Sequence, residues 1–445
     1  MARFAKLLTP VLIAAIVLLI DDIHGHRHES SYLNHYELTT EPRFGWLLAL
    51  IALIWIATYA VGVNEPGLTH GQRYIRSAGG VGSAVVIILA LQLVVARKAT
   101  LPLFDTALSF VTLALGLAVV ASTTQRSLTL QGEQERIVAL VGDDERERLL
   151  RDVSRRPERP SVVAATLAPA AAGPGEGGAA PLEDVIKDQR ITLVVMNREA
   201  QASDAIVSQA ARVHAQGVRI RTLSLYYDEW LGKLPLAELE RIALLFDINE
   251  IHRPVYARVK RFLDVVLAIA GVPVLLVAMP LVALADLFGN RGSLFFHQER
   301  VGKDGIIFMI HKFRTMRPTD APSSWTEPDD DRLSAVGRTL RRLHLDELPQ
   351  VWNVLRRDLS IVGPRPEQPR YVSQLSEVIP FYDTRHLVRP GITGWAQVKY
   401  DYGATELDAL EKLQYEFYYL RHQSLALDLR IMGRTLRSIV GRQGR

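Results

Sequence analysis

The chain has 445 residues, of which 48% are apolar and 22% charged, and it contains no cysteine. This apolar fraction excludes a disordered protein, and the length is enough for about two or three domains. The absence of cysteine excludes a disulfide scaffold, a thiolate zinc site, an iron–sulfur cluster and a cysteine nucleophile. A net charge of +4 is too small to indicate a nucleic-acid partner, although it suits a protein that lies against anionic lipid.

Three uncharged runs of 19 residues predict transmembrane helices, and they cover Gly45–Val63, Ala78–Ala96 and Thr106–Thr124. A helix of this length is ~28 Å long, which matches the hydrocarbon core of a bilayer. A fourth run, Leu7–Ile20, has 14 residues, and Lys6 can extend it by snorkelling. This run is either a retained anchor or the apolar region of a signal peptide. We favour the anchor, because acidic residues follow it where a cleavage site needs small ones.

Basic residues near the ends of these runs predict their orientation. They precede the first run and follow the last, whereas Arg97 and Lys98 oppose this assignment but are outnumbered. The expected arrangement is a four-helix transmembrane bundle in residues 1–125, with the N-terminus inside and everything beyond Thr124 in the cytoplasm.

From Arg136 onward the pattern changes to strands that alternate with helices. The predicted strands are Ile137–Val141, Ser161–Leu167, Ile191–Met196 and Val218–Leu223, and the predicted helices are Asp143–Arg156, Pro181–Arg190 and Ser203–Gln216. This alternation predicts a doubly wound, parallel α/β sheet of Rossmann-like type in residues 136–250. Segment 168–181 is rich in alanine, glycine and proline and is expected to be a flexible loop.

The turn after the first of these strands is a poor phosphate site. A dinucleotide-binding turn needs several glycines, so that backbone N–H groups can approach the pyrophosphate. The segment Val141–Glu145 instead has a single glycine followed by three carboxylates, which would repel phosphate. The domain is therefore expected to be a degenerate Rossmann-like domain with a structural or assembly role, in preference to a cofactor site.

A fifth apolar run, Val265–Ala285, is uncharged for 21 residues, yet Pro273 and Pro280 interrupt it and basic residues flank both of its ends. A proline inside a helix costs about 3 kcal/mol unless a kink is wanted. Both observations favour a re-entrant helix-break-helix over residues 262–287 that bends at Pro280 and leaves the membrane on the side it entered. A kinked full span is the alternative.

The adjacent acids Asp346 and Glu347 stand where a new helix is predicted to begin, with Pro349 in its first turn. A helix N-terminus attracts phosphate and keeps a carboxylate ionised, so Asp346 is a candidate nucleophile toward phosphorus. Glu347 is a candidate ligand for a Mg²⁺ that bridges phosphate oxygens. The plain alternative is that Asp346 only caps the helix.

Four basic residues in short motifs are candidate contacts for phosphate or substrate, and they are Lys312, Arg314, Arg341 and Arg365. Arginine suits bidentate contact with phosphate, and Arg365 is stiffened by a proline on each side. For Arg314 the alternative is an ion pair with Glu299, and for Arg341 it is a solvated helix face.

Several multi-residue motifs occur in order between Tyr256 and Val440. They are KFRTM at Lys312–Met316, LDELPQ at Leu345–Gln350, VGPRP at Val362–Pro366 and PGITGW at Pro390–Trp395. Together they resemble the bacterial sugar transferases, the polyprenyl-phosphate hexose-1-phosphate transferases or monotopic phosphoglycosyl transferases. The resemblance implies a catalytic domain over residues 256–445. The spans and the nucleotide-type fold resemble the long-form members that prime exopolysaccharide or O-antigen assembly at the bacterial inner membrane, and Gln397–Leu420 resembles the exopolysaccharide branch.

The resemblance also implies a mechanism with Mg²⁺ as cofactor. The residue matching Asp346 attacks the β-phosphate of a UDP-sugar and releases UMP, and undecaprenyl phosphate then takes the phosphosugar from the aspartate. Glu347 matches a residue that helps to hold Mg²⁺, and Asp346 is assigned with it as a metal ligand. Arg365 and Arg341 match basic contacts to phosphate. Homodimerisation is a further expectation by resemblance.

Two departures from the family pattern leave the sugar open. His344 stands where many members have serine or threonine, and it is expected to be a packing or supporting residue in preference to a base. The segment Lys399–Tyr402 replaces a Gly-Arg-Asn sequence that is common in relatives.

Two other functions remain as alternatives. The acidic triplet Asp329–Asp331 would suit a metal-dependent UDP-sugar glycosyltransferase that releases UDP, although its loop context favours a solvated segment. A membrane scaffold with an inactive catalytic domain is the non-enzymatic alternative.

Overall fold

The computed structural model describes residues 2–27, 44–63, 70–95, 103–130, 135–155, 157–159, 161–173, 180–236, 254–289, 292–316, 333–400 and 405–440. The chain divides into two compact units. One unit comprises residues 1–136 with 159–162, and the other comprises residues 137–158 with 163–445. The acidic triplet Asp329–Asp331 lies outside the described residues.

In the described part of the first unit there are four helices, Ala2–Arg27, Phe44–Val61, His70–Val95 and Leu103–Leu130. They pack on one another through an apolar cluster whose fully buried members include Ile13, Ile54, Ile88 and Leu113. Apolar side chains also face outward, Val86 among them. Such a pattern suits lipid on the outside of the helices.

The helix Phe44–Val61 is long and apolar enough to cross a membrane, with a mean hydropathy of 2.2. Among the described residues only one other segment meets that test, Val255–Asp286 in the second unit, and a shorter apolar helix covers Ala107–Ser122. The four predicted spans all fall on helices. Their arrangement as a four-helix transmembrane bundle stays a prediction.

The predicted parallel sheet is present, and each of its strands lies within two residues of the expected bounds. Strands β1 Glu135–Leu140, β2 Ser161–Leu167, β3 Leu193–Met196 and β4 Arg219–Thr222 form one sheet in the order β2-β1-β3-β4. The pairs β1–β3 and β3–β4 are parallel. Its helices are Asp143–Arg155, Pro169–Ala172, Pro181–Asp188, Arg198–Ala202, Asp204–Ala215 and Leu223–Tyr226, followed by a π-helical turn at Tyr227–Leu231.

Part of the segment expected to be a flexible loop, 168–181, is instead the helical turn Pro169–Ala172. Ala172 is fully buried, and its carbonyl accepts a hydrogen bond of 2.9 Å from Nε2 of Gln209. The prediction from composition was wrong for these residues, because small side chains also suit close packing. Residues 174–179 lie outside the described ranges.

In the Rossmann-like domain, the turn after β1, where this fold would bind a phosphate, is occupied by the side chain of Glu145 from the same domain. Oε2 of Glu145 accepts hydrogen bonds from the backbone N–H of Gly142 at 3.0 Å and from Nδ2 of Asn197 at 2.7 Å. These donors stand at the carboxyl ends of β1 and β3, where a nucleotide phosphate would bind in this fold. The contact supports the expected structural role, which stays a prediction.

In the second unit a single helix of 36 residues, Pro254–Gly289, continues through both Pro273 and Pro280. We call it the long helix. The interruption expected at Pro280 is therefore not present as a gap in the helix, since a proline removes only one hydrogen bond and the flanking apolar residues extend the turns. The re-entrant path through a membrane stays a prediction. One face of the helix packs inward through Ala268, whereas Leu276 is 62% exposed.

Charged residues near the start of the long helix bind the helix Val351–Arg356 and the strand that follows it. Arg261 donates to the carbonyls of Val354 and Leu355 at 2.6 and 2.9 Å, which satisfies the end of the helix Val351–Arg356. Buried Asp264 accepts from the hydroxyl and backbone groups at the start of strand β7, Ser360–Val362. The charged entry to the long helix is thus a structural clamp.

The remaining elements surround the candidate site. The antiparallel hairpin of β5 Phe295–Val301 and β6 Ile307–Phe313 is followed by the helix Ala335–Arg342, a 3-10 helix at Leu345–Gln350, and the parallel pair of β7 and β8 Gly391–Thr393. The other helices are Pro369–Val378, Trp395–Lys399, Glu406–Arg421 and Leu425–Val440, with 3-10 turns at Lys303–Gly305 and Tyr382–Leu387.

The last helix, Leu425–Val440, packs into the core through Leu427 and Ile431, although Leu436 is 62% exposed. Both a core-facing and a membrane-surface helix were compatible with its sequence. The buried face supports the core-facing interpretation.

Candidate active site

The two acids of the LDELPQ motif lie in the 3-10 helix Leu345–Gln350, which we call the carboxylate turn. The turn begins after His344, whose backbone is left-handed with φ 54°, a conformation that histidine tolerates better than most residues. Buried Pro349 and Gln350 anchor its other end. Asp346 is therefore the second residue of a 3-10 turn, near the start of the helical segment as the sequence predicted, and His344 is the N-cap residue.

His344 itself is exposed at this position, so the expected packing role was wrong. Its side chain makes no capping hydrogen bond. Electrostatic interaction with His344 makes a small contribution that lowers the pKa of Asp346 and of Glu347.

Glu347 is held by two of the predicted basic residues. Nζ of Lys312, on β6, lies 2.7 Å from Oε1 of Glu347, and Nη1 of Arg365 lies 3.9 Å from the same oxygen. Burial alone would raise the pKa of Glu347, but Lys312 and Arg365 together lower it to about 2. Glu347 is thus a permanent anion at neutral pH.

Asp346 is shifted in the opposite direction. Burial and the neighbouring charge of Glu347 raise its pKa above the ordinary value, and Lys312 and Arg341 only partly counter this rise. Desolvation therefore opposes the ionised form that the start of a helix was expected to favour, and ionisation of Asp346 at neutral pH stays a prediction. A carboxylate with a raised pKa is the more basic one, which suits a nucleophile.

Arg365 stands on the loop Val362–Pro366, which we call the Arg365 loop, and its side chain is 46% exposed beside Glu347. Nη2 of the buried Arg385 donates to the Arg365 carbonyl at 2.9 Å, and Nη1 of Arg300 donates to the Pro366 carbonyl at 2.9 Å. The Arg365 side chain is therefore accessible to a ligand, while the hydrogen bonds from Arg385 and Arg300 hold the backbone of its loop.

Arg385 and its partner Glu416 were missed by the sequence analysis. Their side chains form a bidentate pair at 2.7 and 2.8 Å in a site where both are almost fully buried. The signal for Glu416 was a single acid inside Leu413–Leu420, in which every other residue except Gln414 is apolar or aromatic.

The glycines of VGPRP and PGITGW allow the backbones of the two segments to pack closely against each other. The N–H of Gly363 donates to Thr393, and the N–H of Gly391 donates to Pro364. A Cβ atom added at Gly391 or Gly394 would overlap the backbone of Gly363. The two motifs are thus one packed unit beneath Arg365.

Arg341 is half-buried, and its Nε donates to the hydroxyl of Thr315 at 3.0 Å. Its charge lowers the pKa of Asp346. These contacts place Arg341 beside the carboxylate turn and count against the solvated-face alternative.

Arg314 is buried just beyond β6, where its backbone N–H donates to Leu294 and its guanidinium lies against Gly292. The register of the hairpin places Glu299 opposite Met309, toward the turn and away from Arg314. The alternative pairing of Arg314 with Glu299 therefore has no support, and its contact with phosphate stays a prediction.

The carboxylate turn can hold Mg²⁺ only together with a substrate. Within the described ranges, no group of three or more acidic or histidine side chains is placed to bind a metal by itself. Mg²⁺ is commonly held by one or two carboxylates with substrate phosphates and water. Asp346 and Glu347 supply that number of carboxylates, so the donor set fits the ion in the company of a phosphate ligand.

Comparison with known proteins gives relatives for this region. The chain is 41% identical over 189 residues to a UDP-N-acetylgalactosamine-undecaprenyl-phosphate N-acetylgalactosaminephosphotransferase of Aeromonas hydrophila, which covers 42% of this chain and 45% of the relative. It is 32% identical over 276 residues to a UDP-glucose:undecaprenyl-phosphate glucose-1-phosphate transferase of Xanthomonas campestris pv. campestris, covering 59% and 56%. The matched part thus spans about half the length of these two relatives.

A shorter relative is matched over most of its length. The chain is 40% identical over 185 residues to a UDP-glucose:undecaprenyl-phosphate glucose-1-phosphate transferase of Caulobacter vibrioides, which covers 41% of this chain and 69% of that protein. The family model described as bacterial sugar transferase matches residues 255–442, which include the carboxylate turn and the Arg365 loop. With the geometry of that site, these matches establish that the chain belongs to the bacterial sugar transferase family.

Proposed function

We propose that this protein transfers a sugar-1-phosphate from a UDP-sugar to undecaprenyl phosphate. One observation carries the proposal: within the region matched by the family model, Asp346 and Glu347 share one turn, and Lys312 and Arg365 approach Glu347 from two other elements. The relatives named as undecaprenyl-phosphate sugar phosphotransferases support the choice of substrates.

In the first step a carboxylate oxygen of Asp346 attacks the β-phosphorus of the donor. The bond from that phosphorus to the bridging oxygen breaks, and UMP leaves with the electron pair. Asp346 then carries the sugar phosphate as an acyl phosphate. Its raised pKa supports this role, because the ionised form is a stronger base than an ordinary aspartate.

In the second step a phosphate oxygen of undecaprenyl phosphate attacks the same phosphorus. The acyl–phosphate bond breaks, Asp346 regains its carboxylate, and the product is the diphosphate-linked sugar. Arg365 and Arg341 are proposed to bind the phosphate oxygens, since both lie beside the carboxylate turn and arginine suits bidentate contact.

Mg²⁺, when bound, would offset the negative charge of the phosphates as a Lewis acid. Glu347 and Asp346 are the residues proposed to hold it. Lys312 keeps Glu347 ionised, and so preserves its oxygen donors over the physiological pH range.

The proposal is tested with the full-length protein in membranes. We expect UMP to be released from a UDP-hexose or UDP-N-acetylhexosamine only when Mg²⁺ is present, and undecaprenyl phosphate to sustain repeated turnover. Release of UDP in place of UMP would indicate an ordinary glycosyltransferase, and no nucleotide release from any donor would refute the proposal. If EDTA leaves UMP release unchanged, the reaction does not require Mg²⁺ and that part of the proposal is refuted.

We also propose a multi-pass protein of the bacterial inner membrane whose catalytic region faces the cytoplasm, with the long helix entering and leaving on that side. The apolar helices and family membership support membrane association. A single cysteine at Gly289→Cys should react with an impermeant maleimide only after permeabilisation, whereas Ser31→Cys in the first predicted external loop should react in intact cells. Labelling of the first variant from the periplasm would contradict the re-entrant path. Homodimerisation stays a prediction by resemblance.

A further inference from the structure

A buried acid from the Rossmann-like domain is surrounded by bases from the catalytic region. Glu158 accepts from Nζ of Lys399 at 2.9 Å and from both Nη atoms of Arg434 at 2.8 and 3.2 Å, with Arg430 at 3.5 Å. We call these four residues the Glu158 cluster. The side chain of Lys399 is only 2% exposed and that of Glu158 12%. Such a pair cannot lose one partner without leaving a buried charge uncompensated.

The Glu158 cluster holds the tryptophan of the PGITGW motif. The charged ends of Lys399 and Arg434 lie 5.5 and 4.9 Å from the centre of the Trp395 ring. Its Nε1 donates to the carbonyl of Gly232 in the Rossmann-like domain at 2.8 Å. Gly232 has φ 65°, and a Cβ there would press on both Trp395 and Glu158. The ring is therefore held directly by Gly232 of that domain and indirectly by Glu158, which binds the two cations over the ring.

From Trp395 the contacts continue to the candidate active site. The preceding residue, Gly394, packs directly on the backbone of Gly363 in the Arg365 loop, with no room for a side chain. Arg365 lies two residues after Gly363, and its guanidinium approaches the carboxylate of Glu347.

A second set of contacts reaches the same loop. Buried Lys233 of the Rossmann-like domain binds Asp152 at 2.9 Å and Glu411 of the helix Glu406–Arg421 at 2.5 Å. The same helix carries Glu416, which holds the Arg385 that donates to the Arg365 carbonyl. Both sets of contacts therefore converge on the backbone of the Arg365 loop, the first at Gly363 and the second at Arg365.

The cluster also accounts for a departure from the family sequence pattern. Lys399 and Tyr400 stand where many relatives have other residues, and this had left substrate preference open. Lys399 is directed to Glu158, and Tyr400 lies under the Arg155 guanidinium at 5.2 Å while it donates to Asp408. Their chemistry serves contact with the Rossmann-like domain and gives no evidence on the sugar.

We propose that the Rossmann-like domain forms part of the phosphosugar-transfer site, and that Glu158 is a positioning residue that holds Trp395 and, through it, the Arg365 loop. This inference rests on the proposed function. The inference gives the Rossmann-like domain a role that needs no bound nucleotide. The domain helps to hold the loop that carries Arg365, which is proposed to bind substrate phosphate. Misplacement of such a group by about 1 Å can cost about 10²-fold in rate.

The test is pre-steady-state release of UMP by the full-length protein without undecaprenyl phosphate. The amplitude counts folded sites, and the rate constant reports how well they are positioned. For Glu158→Gln we expect a preserved amplitude per folded protein and a rate constant lowered about 10- to 100-fold. Glu158→Asp, which keeps the charge, should recover part of the rate.

Two further variants complete the test. Glu183→Gln removes an exposed ion pair with Arg212 in the same domain and should leave both readings unchanged. Should Glu158→Gln fold poorly, the double variant Glu158→Gln/Lys399→Met removes a buried charge of each sign and should fold, yet remain slow.

A normal rate constant in the folded Glu158 variants, with or without a reduced amplitude, would overturn the inference and leave only a structural role. Equal slowing by Glu183→Gln would overturn it as well. If the wild-type protein releases no UMP at all, the proposed function fails and this inference fails with it.

Discussion

Replacement of Asp346 by asparagine should reduce UMP release by a factor of about 10³ or more while the protein remains folded. The amide keeps the size of the side chain, but it has no ionised oxygen to form a bond to phosphorus. Since the pKa of Asp346 is raised by burial and by Glu347, loss of its charge should not destabilise the fold. The measurement is UMP formation at saturating donor, together with a thermal melt.

The matched control is Asp304→Asn. Asp304 is an exposed acid on the β5–β6 turn with φ 56°, a conformation that asparagine adopts readily, and this variant should keep full activity. Acid-quenched wild-type protein incubated with donor alone should carry a phosphosugar on the peptide that contains residue 346. Undiminished release by Asp346→Asn, or an adduct on another residue, would contradict the nucleophilic role.

The opposite pKa shifts of the two adjacent acids divide the chemistry between them. Two adjacent carboxyls raise each other's pKa, so the cations around them lower the pKa of the acid that they contact more than that of its neighbour. Lys312 and Arg365 contact Glu347, so Glu347 is the acid that stays ionised at neutral pH. Asp346 has the higher pKa and is therefore the more basic carboxylate. Glu347 thus suits metal and charge balance, and Asp346 suits attack.

Local patterns were enough to predict much of the fold. The strands of the Rossmann-like sheet were predicted within two residues because apolar runs and charged helices alternate there without ambiguity. The LDELPQ motif was correctly expected to begin a helix, since Pro349 favours a first turn. The sequence could not tell a 3-10 turn from an α-helix, nor that His344 and not Asp346 is the N-cap residue.

Contacts between residues that are far apart in the sequence could not be predicted from local patterns. Glu158 and Lys399 are separated by 241 positions, and although Lys399 departs from the family pattern, nothing in its own segment indicates Glu158 as its partner. Arg385 and Glu416 were likewise invisible as a pair, because burial of an ion pair depends on how the two segments fold together. The sequence therefore predicted candidate residues for the chemistry, but not the residues that hold those candidates in place.

Lys312→Met should lower the rate of UMP release about 10²-fold and shift its acid limit to higher pH. In the wild type Lys312 contributes to the low pKa of Glu347, about 2, and also opposes the rise at Asp346. Without this cation both pKa values rise, so both carboxyls are protonated at a higher pH than before. Loss of one adjacent cation is worth about one to three pH units for a carboxyl, and the loss of activity should be larger at about pH 5 than at about pH 8.

The pH profile of UMP release separates this electrostatic role from a contact with substrate alone. Lys312→Arg keeps the positive charge and should retain the wild-type acid limit even if its rate is reduced by a change of shape. Lys303→Met removes an exposed lysine near the hairpin turn and should leave both rate and profile unaltered. An equal loss at every pH for Lys312→Met, with an unmoved acid limit, would mean that Lys312 does not set the ionisation of the carboxylate turn and binds the donor directly instead.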